Sequence, residues 1–405
     1  MARPNMLEGY KVLDLTQYIA GPTATRMMAE MGAEIIKIEL PTAGDRTHEL
    51  PHIKNGRSGY YVQQNLGKKS LCVDVKSPEG LAIVKQLVTK VDCLTENFAP
   101  GVIARMGLDY AAVKALNPRI VMCSVSTFGQ TGPLSHLPGY DFIAQAYSGI
   151  TSMIGEPDGP PYFPMAAIGD VSTGVNAALA IVTALLHRER TGEGQYIDVA
   201  LLDSYFSCHH TAVQMYSLSG GEIRLTRSGK HLPYGAPCSM YRGHEHYIII
   251  IGGMEHQWRQ LCQAMGRPEL ADDPRFRTNA ERVKRQEELF EIIQGWLTSL
   301  PDDNAIMARL NEHRVPAAPV LSIEEAINHP HLRERGTVRG VHDPLAGRME
   351  LPRFPLRFSA WPANREIEAP TLGRDNRDIL RSYLGFTDDR ISQLERDGIL
   401  YAEQI

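Results

Sequence analysis

The sequence predicts an α/β protein built on a mostly parallel, doubly wound sheet, followed by a small α+β domain. Three observations carry this. Short apolar runs alternate with helical patterns through the first two hundred residues, which is the rhythm of βαβ units. Near residue 220 that rhythm stops and a hairpin pattern followed by helices replaces it. The length, 405 residues, exceeds what one ordinary core accommodates, so two domains, or one large domain with an insertion, are expected.

The elements follow in order. "YKVLDLT" is a short strand, and "AGPTATRMMAEMGA" is a helix with Pro22 in its first turn and Gly32 near its end. "EIIKIEL" and "SLCVDV" are the next strands. Helix "SPEGLAIVKQLVTKV" takes Ser77 as N-cap and Pro78 at its first position. "DCLTENF" and "RIVMCSVS" complete this series of strands. The stretches 41–69 and 127–140 read as long loops after strands, where open α/β sheets bind ligands. "CSMYRGHEHYIIIIGG" reads as a hairpin turning at Arg242-Gly243. Helices follow, with capping-box patterns at Thr278/Glu281 and Ser322/Glu325.

Composition excludes several classes. A net charge of -5 gives no basic field for nucleic acid or anionic membrane. The six cysteines form no C-x-x-C pair and sit mostly in apolar runs, as expected of free thiols in a reducing compartment. The opening "MARPNMLEGYKVLDLT" lacks a signal-peptide core, and the run "VNAALAIVTALL" reads as too short to span a bilayer. A cytoplasmic, soluble protein is expected. There is no G-x-G-x-x-G, no P-loop and no G-x-S-x-G elbow. His209-His210 and His244-Glu245-His246 lack a third ligand nearby, so no metal site is expected.

Gly169-Asp170 opens a helical pattern. Val175, Leu179, Val182 and Leu186 step along it as one buried stripe, and cations and glycines close it in "HRERTGEG". Asp170 therefore stands at or just before a helix N-terminus. It can serve as an N-cap. It can also be an anion held for nucleophilic attack, with Ser172 taking over the cap. The residues alone leave both readings open.

Taken together, "VLDLTQYIAGPTATRMMAEMGAEIIKIE", "LGKKSLCVDVKSPEG", "ENFAPGVIARMGLDY", "NPRIVMCSVSTFGQTGP", "GYDFIAQAYSG", "GDVSTG", "RTGEGQYIDVALLD" and "APTLGRDNRDIL" resemble the family III CoA-transferases. The order and spacing of these stretches are specific, although Asp375 stands where the family usually has His. The resemblance implies a large Rossmann-like domain from both chain ends, residues 1–220 and 319–405, with a small α+β domain at 226–318. It implies an interlocked-ring homodimer, and a coenzyme A thioester as substrate with no permanently bound cofactor.

The resemblance places the nucleophile on Asp170, supported by Tyr140 and Asp141. Asp141 otherwise reads as the N-cap of "FIAQAYSG". CoA contacts carry over to Asn97, Arg105 and Lys76, while Lys68 and Lys69 read as a basic loop suited to phosphates. Leu40 and Pro138 replace cations of formyl-CoA transferase, and Arg46 is a substitute for the missing contact. The glycine run of formyl-CoA transferase is absent, since Gly252-Gly253 is too short. Arg224, Arg227 and Lys230 make the region expected at the acyl end basic. That favours dicarboxylic or hydroxy acids, with succinyl-CoA as donor. Two alternatives stay open: a 2-methylacyl-CoA racemase, which would need the His that Tyr140 replaces, and a non-catalytic CoA-binding protein.

Overall fold

The computed structural model describes residues 5–41, 44–360 and 367–403. The chain divides into two compact units. One holds Met1–Ile150, Pro164–His209 and Gly336–Ile405; the other holds Thr151–Phe163 and His210–Arg335.

The first unit is a six-stranded sheet. Its strands are β1 (Lys11–Leu15), β2 (Glu34–Glu39), β3 (Lys69–Cys72), β4 (Cys93–Glu96), β5 (Val121–Ser126) and β6 (Tyr196–Ala200). They are all parallel, in the order β3-β2-β1-β4-β5-β6. This is the order of a doubly wound fold, with its reversal between β1 and β4. Helices cover both faces: α1 (Ala20–Glu30), α2 (Gly59–Asn65), α3 (Pro78–Val88), α4 (Val102–Arg105), α5 (Tyr110–Leu116), α6 (Asp141–Tyr147), α7 (Ile168–Thr191) and α8 (Leu201–Phe206). Alternate side chains of one strand feed different cores. Val12, Cys93 and Val121 pack with α1 and α7, whereas Leu13, Leu94 and Met122 pack with α3 and the C-terminal helices. Strands buried on both faces read as continuous apolar runs, which is why they are visible in the sequence. The C-terminal segment belongs to the same unit. Asp375 and Asn376 accept the Ser70 and Cys72 amides at 2.8 Å each, capping the edge strand β3.

The structure corrects the expected stripe on α7. Leu179 is 66% exposed and Leu186 is 51% exposed. The buried face is made instead by Gly174, Ala177, Ala178, Ile181, Ala184 and Leu185. The reason is close helix packing on α1. A Cβ at Gly174 would sit 2.6 Å from the Ala20 carbonyl oxygen, so only small residues fit there. By length and composition this 24-residue helix could cross a membrane, although 175–186 alone is too short. Here its small-residue face lies in the core.

The loop expected at 41–69 is also corrected. It contains a 3-10 turn at Arg46–Glu49 and the helix α2. Lys68 and Lys69 are not loop cations. Lys68 is buried with its Nζ 2.9 Å from Asp14 Oδ2, and Lys69 opens β3, paired with Glu34 and Asp378.

The second unit carries an antiparallel sheet of β7 (Cys238–Arg242), β8 (Tyr247–Ile251) and β9 (Ala317–Pro319), in the order β9-β8-β7. Its core gathers Trp258, Phe276, Phe290 and Ile293. The Asp303 carboxylate accepts the amides of His244, Glu245 and His246, fixing the hairpin turn. The His246 ring lies between Asp303 and Glu325. The basic stretch is partly occupied within its own unit. Arg227 donates to the carbonyls of Glu156 and Ser152, Arg224 to that of Gly221, and Lys230 sits over the Phe290 ring at 3.7 Å.

Candidate active site

A cavity of about 790 Å³ opens at the C-terminal ends of the strands of the first unit. Its walls are Gln17–Ala20 after β1, Asn97–Pro100 after β4 and Ser126–Phe128 after β5, together with Tyr60 of α2, Gly139–Phe142, and Asp170 and Val171 of α7. It therefore lies where the strand order reverses, the usual ligand position in open α/β sheets.

Buried charge shapes the turn after β1. Asp14 accepts the amide and hydroxyl of Thr16, the Thr25 hydroxyl and the Lys68 ammonium. Burial alone would raise the Asp14 pKa, yet Lys68 and Lys37 hold it down to about 2. Lys37 donates to the Thr16 carbonyl and pairs with Asp45, both at 2.8 Å. Asn97 clasps the next residue, accepting the Gln17 amide and donating to the Gln17 carbonyl at 2.8 Å each.

Two carboxylates face different tasks. Asp141 is buried at the first position of α6, with Tyr140 in the N-cap place, so Asp141 is not the N-cap. One Asp141 oxygen accepts the Asp170 amide at 3.0 Å, and the other accepts the Tyr205 hydroxyl. Gln145 also donates to that hydroxyl, at 3.2 Å. Asp170 is the third residue of α7 rather than its N-cap, which is Ala167. Ser172 does not take over the cap, because its hydroxyl donates to the Gly169 carbonyl. Among the described residues the Asp170 carboxylate accepts no hydrogen bond, and it lines the cavity. Burial, and then the charge of Asp141, push its pKa up to about 7. Gly169 is required where it stands, because a Cβ there would lie 2.0 Å from Tyr205 Cε2.

Of the residues singled out in the sequence, Asp170, Tyr140, Asp141, Asn97 and Pro138 come together around the cavity. Arg46 opens the turn beside Tyr18, close enough for its charge to act on that phenol. Arg105 and Lys76 are exposed and lie outside the lining, as does Lys69 in its ion pairs. Sequence reasoning misses Gln17, Tyr18, Tyr60 and Tyr205. Tyr60 lines the cavity with Asp170, whose charge adds to burial in raising the phenol above its ordinary pKa. No periodic pattern marks these residues.

The model of "CoA-transferase family III" matches residues 7–376. The chain belongs to CoA-transferase family III. It is 36% identical over 399 residues to the succinyl-CoA–D-citramalate CoA-transferase of Chloroflexus aurantiacus, covering 98% of each chain. It is 35% identical to the succinyl-CoA:glutarate CoA-transferase of Mus musculus, covering 97% of this chain and 90% of the other. The crystal structure of a CAIB/BAIF family protein from Brucella suis superposes with a TM-score of 0.83 at 32% identity, covering 94% of this chain and 100% of that one. The fold and the type of enzyme, a CoA-transferase acting on CoA thioesters, are those of this family.

Proposed function

We propose that the protein transfers CoA from succinyl-CoA to a dicarboxylic or hydroxy acid, with Asp170 as nucleophile. The observation that carries this is the unpartnered Asp170 carboxylate in the cavity, next to an Asp141 that is fully engaged. A carboxyl near pKa 7 is substantially ionised at neutral pH and more basic than an ordinary aspartate. It sits in the first turn of a 24-residue helix, whose dipole favours the anion.

An Asp170 oxygen attacks the thioester carbonyl, the C–S bond breaks, and CoA leaves as thiolate from a mixed anhydride. The thiolate attacks the aspartyl carbonyl, the donor acid departs as carboxylate, and an aspartyl-CoA thioester remains. The acceptor carboxylate attacks that thioester, again expelling CoA thiolate and forming a second anhydride. The thiolate attacks the acceptor's carbonyl, and Asp170 is regenerated. Asp141 holds the Asp170 amide and the Tyr205 phenol, so the helix start keeps its place through four exchanges. Asn97, Arg105 and Lys76 are the proposed CoA contacts of this chain, with Asn97 acting through the Gln17 turn, while Arg46, which the resemblance offered as a further one, stands instead in the turn beside Tyr18. Lys69 could join them only by leaving Glu34 and Asp378.

The names of the succinyl-CoA relatives support the donor and the acceptor class. A homodimer is supported by the outward face of α7, where Ile168, Val171, Val175, Leu179 and Leu186 are exposed. Free cysteines support a cytoplasmic setting.

The test is intact-mass spectrometry after incubation with succinyl-, acetyl- and 2-methylacyl-CoA. A CoA adduct on the wild type, absent from Asp170→Asn and discharged by an acceptor acid, is expected. Exchange of the α-proton without an adduct would replace this reading by a racemase. Tight CoA binding with neither signal would replace it by a binding protein.

A further inference from the structure

Among the described residues, no lysine, arginine or histidine lines the cavity. The polar side chains that do line it beside Asp170 are mainly phenols and amides: Tyr18, Tyr60, Tyr140 and Gln17. A dicarboxylic substrate must nevertheless place its unreacting carboxylate somewhere. We propose that Tyr18 and Arg46 form the subsite that binds this far carboxylate and so select dicarboxylic over monocarboxylic acceptors. The inference rests on the transferase reading above.

Tyr18 has a left-handed backbone, φ 66°, which a bulky side chain rarely adopts. The conformation is imposed from below. Its amide donates to Asp45 Oδ1 at 3.3 Å, Asp45 is ion-paired with buried Lys37, and the preceding Gln17 is clasped by Asn97. The outcome is a phenol set on the cavity wall, edge-on to Tyr140 with ring centroids 6.1 Å apart. A wall residue alone would not need a strained backbone held by a buried ion pair.

Arg46 follows Asp45 directly, so the same carboxylate that orients Tyr18 also starts the turn carrying Arg46. Arg46 is exposed, and among the described residues its guanidinium makes no hydrogen bond or ion pair. Its charge acts on the Tyr18 hydroxyl. A phenol O–H and a free guanidinium are complementary to one carboxylate. Tyr60 lines the same cavity as Asp170 and Tyr18. In the proposed binding mode the substrate reaches from Asp170 across this cavity to Tyr18 and Arg46.

The experiment compares kcat/KM for glutarate and pentanoate, which share a five-carbon chain and differ by one carboxylate. Wild type is set against Tyr18→Phe and Arg46→Gln. The first variant keeps the ring and the second changes an exposed side chain, so both are expected to fold. The ratio of glutarate to pentanoate should exceed one in the wild type. It should fall about tenfold to a hundredfold in each variant, the loss expected for a hydrogen bond to a charged group. Loss of the hydroxyl alone should act mainly on KM for the dicarboxylate. The Asp170 adduct formed from acetyl-CoA, which has no far carboxylate, is measured in the same preparations. An adduct with an unchanged ratio in both variants would overturn the subsite and leave the transferase standing. Absence of any adduct from wild type with every donor would overturn both.

Discussion

Asp170→Asn should abolish transfer and, at the same time, stabilise the fold at neutral pH. The Asp170 carboxyl is raised from 3.8 to about 7, by burial first and by Asp141 second. A group whose folded pKa lies above its unfolded value binds its proton more tightly in the folded state. Its contribution to stability is therefore greatest in acid, declines as pH rises past about 4, and levels off above about 7. The shift of about three units corresponds to about 4 kcal/mol as a ceiling. The carboxylate keeps one side toward the cavity, and screening there reduces this to about 1–3 kcal/mol. Asparagine carries no charge, so the variant should gain that amount near pH 8 and nothing near pH 4. Urea unfolding of both proteins at matched protomer concentration, across that pH range, measures the difference; other titrating groups cancel in it. In the opposite reading the helix dipole outweighs burial and Asp170 is a net-stabilised anion. Asparagine would then cost about 0.3–1 kcal/mol at high pH through lost dipole interaction. A loss of stability near pH 8, or a difference independent of pH, would refute the desolvated-nucleophile argument.

Other outcomes follow from the same geometry. In a pH profile, kcat/KM should rise with unit slope up to an inflection near 7 and then flatten; Asp141→Asn should move that inflection down, while burial keeps it above 3.8. Gly169→Ala should lower stability by about 1–3 kcal/mol, because its Cβ would drive into the Tyr205 ring; thermal unfolding should show partial recovery in Gly169→Ala/Tyr205→Ala. If the exposed face of α7 forms the proposed dimer contact, Leu179→Asp, at its 66%-exposed position, should lower the thermal stability of the assembly, whereas an unchanged melting temperature would place that contact elsewhere. Arg26→Met should leave chemical stability unchanged or raise it by about 1 kcal/mol, since among the described residues Arg26 Nε and Nη1 are buried without hydrogen-bond partners, while Glu30, whose charge also acts on Arg26, accepts from Arg339.

The parallel strands were legible in the sequence because burial on both faces turns each into an apolar run, and the position of Asp170 at a helix start because Gly-Asp opens a helical pattern, whereas its proposed role came from the resemblance alone. What periodicity could not supply was the face of a helix that packs by small residues. On α7 the bulky side chains lead the eye to the exposed side, while Gly174, Ala177 and Ala184 carry the contact. Lys68 looked like a surface cation because nothing local announces a partner 54 positions away in Asp14. Tyr18, Tyr60 and Tyr140 come from three separate loops and helices. Their convergence is a property of the strand order, which no single stretch of sequence contains.

That strand order poses a chemical question of its own. In dinucleotide-binding sheets of this topology, a glycine-rich turn after the first strand cradles phosphates with backbone amides. Here the turn is Thr16-Gln17-Tyr18-Ile19, with no such glycines, and its first three amides are already spent. Thr16 donates to Asp14, Gln17 to Asn97 and Tyr18 to Asp45. Gly21, two residues later, serves packing instead, because a Cβ there would lie 2.4 Å from Thr16 Cγ2. The ligand position of the fold is kept while the amides of Thr16, Gln17 and Tyr18 are withdrawn from it and locked by buried ion pairs. Recognition by this part of the turn then rests on side chains. Backbone amides impose one ligand chemistry on every sequence that adopts the turn, whereas side chains can be exchanged singly. Substitutions at Tyr18 and Arg46 should accordingly change which acid is accepted while Asp170, on a different helix and held through Asp141, keeps its reactivity.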